Sequence, residues 1–164
     1  MKSSRSILLA IAALCIVLFA TVLYLQAARD VPPCPLCIVQ RYLLATLALT
    51  CGCFACLDPR LHKAGAAAGL CLAIGGIGIA ARHLWQQNRL DAFCDVDPLE
   101  KWLNAMPSAQ LLPLLFKADE GLCAMPTSLL GMSLPQWSLL GFIVIALGLL
   151  RYLARQEPLV PWLA

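Results

Sequence analysis

Apolar and polar positions fall along this chain in long blocks rather than at short periods. Four apolar blocks stand out, at 7–28, 38–57, 64–85 and 133–152. The first carries no charge and the second only Arg41, in its first turn. A stretch of about 20 apolar residues matches the hydrocarbon core of a bilayer, so each block predicts a spanning helix. The expected fold is an all-α membrane protein, a four-transmembrane-helix bundle in one domain over 1–164. Two hydrophilic connections, 29–37 and 86–132, then lie on one side of the membrane, opposite the termini and the turn at 58–63.

Local signals sharpen this outline. A cleaved signal peptide also begins basic, as Lys2 and Arg5 do here, but its apolar stretch is about 7–15 residues. The 22 residues of Ile7–Ala28 predict a retained anchor instead. Pro32, Pro33 and Pro35 make the first connection irregular, and Pro59 stops the second helix. Gly65, Gly69, Gly75, Gly76 and Gly78 suit close packing between helices in lipid. Within the long connection, Leu99–Leu103 and Leu111–Phe116 read as short amphipathic segments on the bilayer surface. Trp137 enters the fourth helix at interface depth.

Composition agrees with a membrane protein. The chain is 61% hydrophobic and 13% charged, with mean hydropathy +0.80. Soluble domains run near 45–50% apolar and about 25% charged. A dispersed net charge of +3 gives no footprint for nucleic acid. Basic residues orient the bundle. Lys2, Arg5, Arg60, Lys63, Arg151 and Arg155 stand on the terminal side, against Arg29, Arg89, Lys101 and Lys117 on the other once Arg41 and Arg82, inside the ends of spans, are set aside. The positive-inside rule then places both termini in the cytoplasm and both long connections in the outer, oxidising compartment.

That placement sorts the nine cysteines. Cys15, Cys51, Cys53, Cys56 and Cys71 fall inside apolar blocks and read as small packing residues. Cys34, Cys37, Cys94 and Cys123 fall in the outer connections, where thiols become disulfides. The arrangement that closes each connection is Cys34–Cys37 and Cys94–Cys123, one of three connectivities that four cysteines allow. A ring as short as Cys34-Pro35-Leu36-Cys37 removes little chain entropy, so reactivity accounts for it better than stability. Cys37 immediately precedes the second helix, whose N-terminus favours an anion. Arg41, four residues on and one turn deeper, is placed to stabilise a Cys37 thiolate and to hold a polar head group arriving from lipid. Arg82 and His83 lie at a similar depth; they are weaker candidates for lining that head-group pocket, with ordinary interface residues as the alternative.

These features together resemble the disulfide bond formation protein B family of bacterial inner-membrane thiol:quinone oxidoreductases. The likeness rests on four spans, the Cys34-Pro35-Leu36-Cys37 loop followed by Arg41, the wide Cys94/Cys123 loop, and Met132-Ser133-Leu134-Pro135-Gln136-Trp137 at the last helix. It implies a periplasmic thioredoxin-fold partner, disulfide bond formation protein A, whose reduced form attacks Cys94. The released Cys123 then attacks Cys34, and Cys37 becomes the thiolate that donates to a bound ubiquinone or menaquinone, with Arg41 supporting the charge-transfer species. No metal is implied. Two departures stand out: the Cys51/Cys53/Cys56 cluster, and Gln40 where some members carry an acidic residue.

Three other readings compete. A transmembrane carrier of reducing power would need reactive cysteines within its spans, and a four-span scaffold would keep inert disulfides. A zinc site of Cys34, Cys37, Cys94 and Cys123 would use ligands 29 positions apart in its second pair, against the compact spacing such sites favour.

Overall fold

A computed structural model of the chain describes residues 2–29, 34–87, 97–118, 128–129 and 131–155. Its frame is four long helices: α1 (Lys2–Arg29), α2 (Pro35–Cys56), α3 (His62–Gln87) and α7 (Leu134–Arg155). Each is long and apolar enough to cross a membrane, which makes this a multi-pass membrane protein. A single 3₁₀ turn at Pro59–Leu61 joins α2 to α3. Three short helices follow α3: α4 (Asp97–Asn104), α5 (Pro107–Leu111) and α6 (Pro113–Phe116). A two-residue antiparallel ladder, β1 (Ser128–Leu129) on β2 (Met132–Ser133), leads into α7. Gly131 turns this hairpin at φ +81°, a conformation that costs glycine little.

The helices pack in the order α1, α2, α3, α7, while α1 and α7 touch only lightly. Their shared core is apolar and dense, with Leu8 and Cys15 of α1, Leu47 and Cys51 of α2, Ala73 of α3 and Leu149 of α7 all fully buried. Small residues let α3 approach its neighbours. A Cβ on Gly65 would collide with Phe54, and one on Gly76 with the buried ring of Phe142. Around Gly75 and Gly78 there is open space, so only part of the glycine cluster is contact surface. Large side chains on the outside, among them Ile16, Val17 and Val144, face where lipid would be.

The short helices fold back on the end of the bundle that carries Cys34. Leu103 of α4 is buried against Ile38, and Phe116 of α6 stacks on Tyr42 with ring centroids 4.4 Å apart. Tyr42 also bonds Ser108 at 2.6 Å between oxygens. Asn104 clasps Ala118, giving its amide to the carbonyl at 3.0 Å and accepting the backbone N–H at 2.9 Å. Trp102, Leu111 and Leu112 remain exposed on these segments. The sequence offered them as surface-lying; the structure shows that they also roof α2.

The first turn of α2 differs from the expectation in a way that matters for chemistry. The helix starts at Pro35 rather than after Cys37, and Cys34 is its N-cap. Proline is preorganised for the first helical position, so the residue that looked like part of an irregular loop is the helix start. Cys37 therefore sits inside the first turn, and its own N–H donates to Cys34 Sγ at 3.3 Å.

Candidate functional site

The candidate site is built on that first turn. A Cys-x-x-Cys spacing across an N-cap brings the two sulfurs onto one side of the turn, and Cys34 Sγ lies 2.8 Å from Cys37 Sγ as a hydrogen-bonded dithiol. Cys34 is buried and Cys37 half-buried. The hydrogen bond to Cys37, reinforced by burial, holds the Cys34 thiol well above its ordinary pKa range, so this sulfur keeps its proton. Such a pair can close to a disulfide by giving up two electrons and two protons.

From α3, His83 reaches the pair across 49 positions of sequence, its Nε2 3.6 Å from Cys34 Sγ. The opposite ring nitrogen, Nδ1, lies 3.4 Å from Nε2 of Gln40, and both side chains are buried. Arg82, one residue earlier and about 100° around the helix, is exposed. The two weak candidates thus separate: the structure brings His83 to the cysteines and leaves Arg82 outside.

Arg41 is 3% exposed and close enough to both sulfurs to interact with them electrostatically. One guanidinium nitrogen donates to the Leu115 carbonyl at 3.2 Å and another to Oε1 of Gln26. Its Nε, equally buried, has no partner among the described residues. The arginine is therefore held by α1 and by the roof while one donor remains to be used. Cys94 and Cys123 lie outside the described residues.

Beside this corner the light contact between α1 and α7 leaves an apolar cleft of about 260 Å³. Leu18, Val22 and Leu25 of α1, Leu44 of α2 and Leu134 and Trp137 of α7 line it. Leu44 is one helical turn past Arg41 on α2, and Leu25 precedes Gln26 on α1, so the cleft is lined from the turns next to those that hold the guanidinium. Sequence reasoning missed Gln26 and gave Gln40 no role in the site. A signal existed for both, since a polar side chain inside a span needs a partner.

The comparisons agree with this geometry. The family model for Disulfide bond formation protein DsbB matches residues 4–151. Disulfide bond formation protein B of Herminiimonas arsenicoxydans is 42% identical over 158 residues, 96% of this chain and 99% of that protein. The proteins of the same name from Cupriavidus metallidurans and Burkholderia pseudomallei are 35% and 36% identical, covering 94% of this chain and 96% and 95% of their own. With a family model and relatives that each match nearly its whole length, the chain belongs to the disulfide bond formation protein B family.

Proposed function

We propose that this protein is a thiol:quinone oxidoreductase of the bacterial inner membrane that reoxidises a periplasmic thioredoxin-fold dithiol, disulfide bond formation protein A. The observation that carries the reading is the Cys34–Cys37 dithiol beside a buried Arg41 whose Nε has no partner among the described residues, with an apolar cleft one helical turn further along α2. Both termini are cytoplasmic and the cysteine-bearing connections periplasmic, in keeping with the distribution of Lys and Arg.

In this reading Cys94 accepts attack from the reduced partner, and Cys123 leaves as a thiolate. Cys123 attacks Cys34 of the Cys34–Cys37 disulfide, releasing Cys37. The roles suit the local structure. Cys37 sits in the first turn of α2, where backbone N–H groups and Arg41 favour an anionic sulfur. The partner's second thiol frees Cys94, which takes Cys123 back from Cys34, and the Cys34–Cys37 dithiol so formed would close to its disulfide by giving two electrons and two protons to a ubiquinone or menaquinone from the membrane pool. The quinone head group fits the chain on two counts: the cleft walls are apolar, and Arg41 Nε is a buried donor with no partner among the described residues. Arg41 and the cleft residues Leu25 and Leu44 would hold it, and the roof of α4–α6 would keep water from the sulfurs.

The test is quinone reduction by purified protein supplied with a reduced periplasmic thioredoxin-fold donor, comparing wild type with Cys37→Ser and Cys94→Ser. Quinone consumption matched by donor oxidation in wild type alone supports the reading. A wild type inert toward both quinone classes, with its disulfides intact, refutes it.

A further inference from the structure

Three metal-ligating side chains converge at the start of α2: Cys34 and Cys37 stand three residues apart on its first turn, and His83 joins them from α3. Cys34 Sγ, Cys37 Sγ and a ring nitrogen of His83 all lie within 4.8 Å of one another, and no metal was implied by the sequence at this set of residues. We propose that the reduced Cys34–Cys37 pair and His83 form a binding site for a thiophilic divalent cation, zinc, that holds the dithiol out of reaction.

The geometry fits a tetrahedral ion with little movement. Zinc–sulfur bonds near 2.3 Å and zinc–nitrogen bonds near 2.0–2.1 Å put sulfur and nitrogen about 3.6 Å apart and two sulfurs about 3.8 Å apart. Cys34 Sγ and His83 Nε2 are already 3.6 Å apart. The two sulfurs, at 2.8 Å, need to part by about 1 Å, which a side-chain adjustment of the half-buried Cys37 provides. Three protein ligands leave the fourth position to water.

The surroundings also suit an ion. Histidine ligands are usually held by a partner on the other ring nitrogen, and here Nδ1 faces the buried side-chain amide of Gln40. An amide can present either its oxygen or its nitrogen; with the oxygen turned to Nδ1–H, the lone pair of Nε2 faces the sulfurs. The Cys37 N–H, already directed at Cys34 Sγ, supports a bound thiolate. Charge closes as well. One zinc, two thiolates and a neutral imidazole sum to zero, so binding releases the two thiol protons and adds no net charge to a corner that already holds the Arg41 guanidinium. Neither Cys94 nor Cys123 is required, which distinguishes this site from a four-thiolate arrangement.

The test uses the full chain in detergent, reduced, and titrated with zinc chloride against a chromophoric chelator; cobalt(II) serves as a spectroscopic probe of thiolate ligation. Reduced wild type should take up one equivalent that the oxidised wild type does not. That equivalent should vanish in Cys34→Ser and Cys37→Ser, survive Cys53→Ser/Cys56→Ser, and weaken by about 10–100-fold in Gln40→Leu. His83→Gln should weaken it further. The oxidised wild type carries no substitution, so the comparison does not depend on variants folding. Equal uptake by oxidised and reduced wild type, or uptake indifferent to His83→Gln, overturns the proposal. Zinc inhibition of quinone reduction rests on the oxidoreductase reading above; the binding titration needs neither quinone nor donor, so the two can fail separately.

Discussion

Gln26 offers the sharpest perturbation of the candidate site, because it touches Arg41 and neither cysteine. The guanidinium has two hydrogen-bond partners among the described residues, the Leu115 carbonyl and Gln26 Oε1, and its Nε has none. Gln26→Leu keeps the side-chain bulk and removes one of the two. A hydrogen bond to a charged group contributes about 1.5–3 kcal/mol, more of it felt where the charge is buried. If that energy serves to hold Arg41 in its working position, its loss slows the quinone-linked step by about 10- to 150-fold. Thiol exchange with the donor should keep its wild-type rate, since it precedes the step that uses Arg41. The two are separated by stopped-flow: donor fluorescence reports exchange, and quinone absorbance reports reduction. Gln26→Glu makes the opposite demand. A carboxylate there pairs with Arg41, raising the melting temperature, yet it cancels the positive charge beside Cys37 and should slow quinone reduction. A Glu variant that is both more stable and as fast as wild type would refute the argument that the site depends on the free charge of Arg41. So would a Leu variant at full rate beside an inactive Arg41→Leu.

Further outcomes follow from packing and burial. Gly76→Ala drives a methyl group into Phe142, which is 1% exposed, and should destabilise the bundle by about 1–3 kcal/mol in a detergent unfolding measurement, whereas Gly75→Ala and Gly78→Ala should stay near neutral or improve it. In the reduced protein Cys37 should alkylate before Cys34. The Cys34 thiol is buried and held protonated, so its thiolate fraction, and with it the rate of modification, should rise only at pH above the ordinary thiol range, as read by mass spectrometry of maleimide-treated protein. Cys53→Ser/Cys56→Ser alters two exposed side chains far along α2 and should leave donor oxidation unchanged in the quinone assay.

Much of the frame was legible because spanning a bilayer imposes a length and an apolar composition that a linear chain cannot disguise. The start of α2 was not legible. Pro35 breaks a helix in its interior and begins one at its first position, and sequence alone did not say which role applied. The glycines posed a similar problem: Gly75, Gly76 and Gly78 look equivalent, and only the phase of α3 against α7 selects Gly76 as the contact. The short Ser128–Ser133 hairpin escaped notice because two-residue strands carry no period. At the site, Cys34, Cys37 and Arg41 announce themselves within eight consecutive positions. Gln26 and His83 reach the same corner from 15 and 49 positions away, and that kind of proximity is a property of helix packing rather than of spacing.

The cleft between α1 and α7 has a consequence for how affinity is to be measured. Every described residue of its lining belongs to a helix long and apolar enough to span, so the cleft lies at the depth of the bilayer. An occupant must first dissolve in the membrane, and its chemical potential is then set by its mole fraction among the lipids. Dissociation constants quoted per litre of buffer would fold the partition coefficient into the apparent strength of the site. Two ligands with the same contacts but different tails would look unequal in water and alike in the membrane. Competition between ligands of this protein therefore has its natural scale in two dimensions, as molecules per lipid.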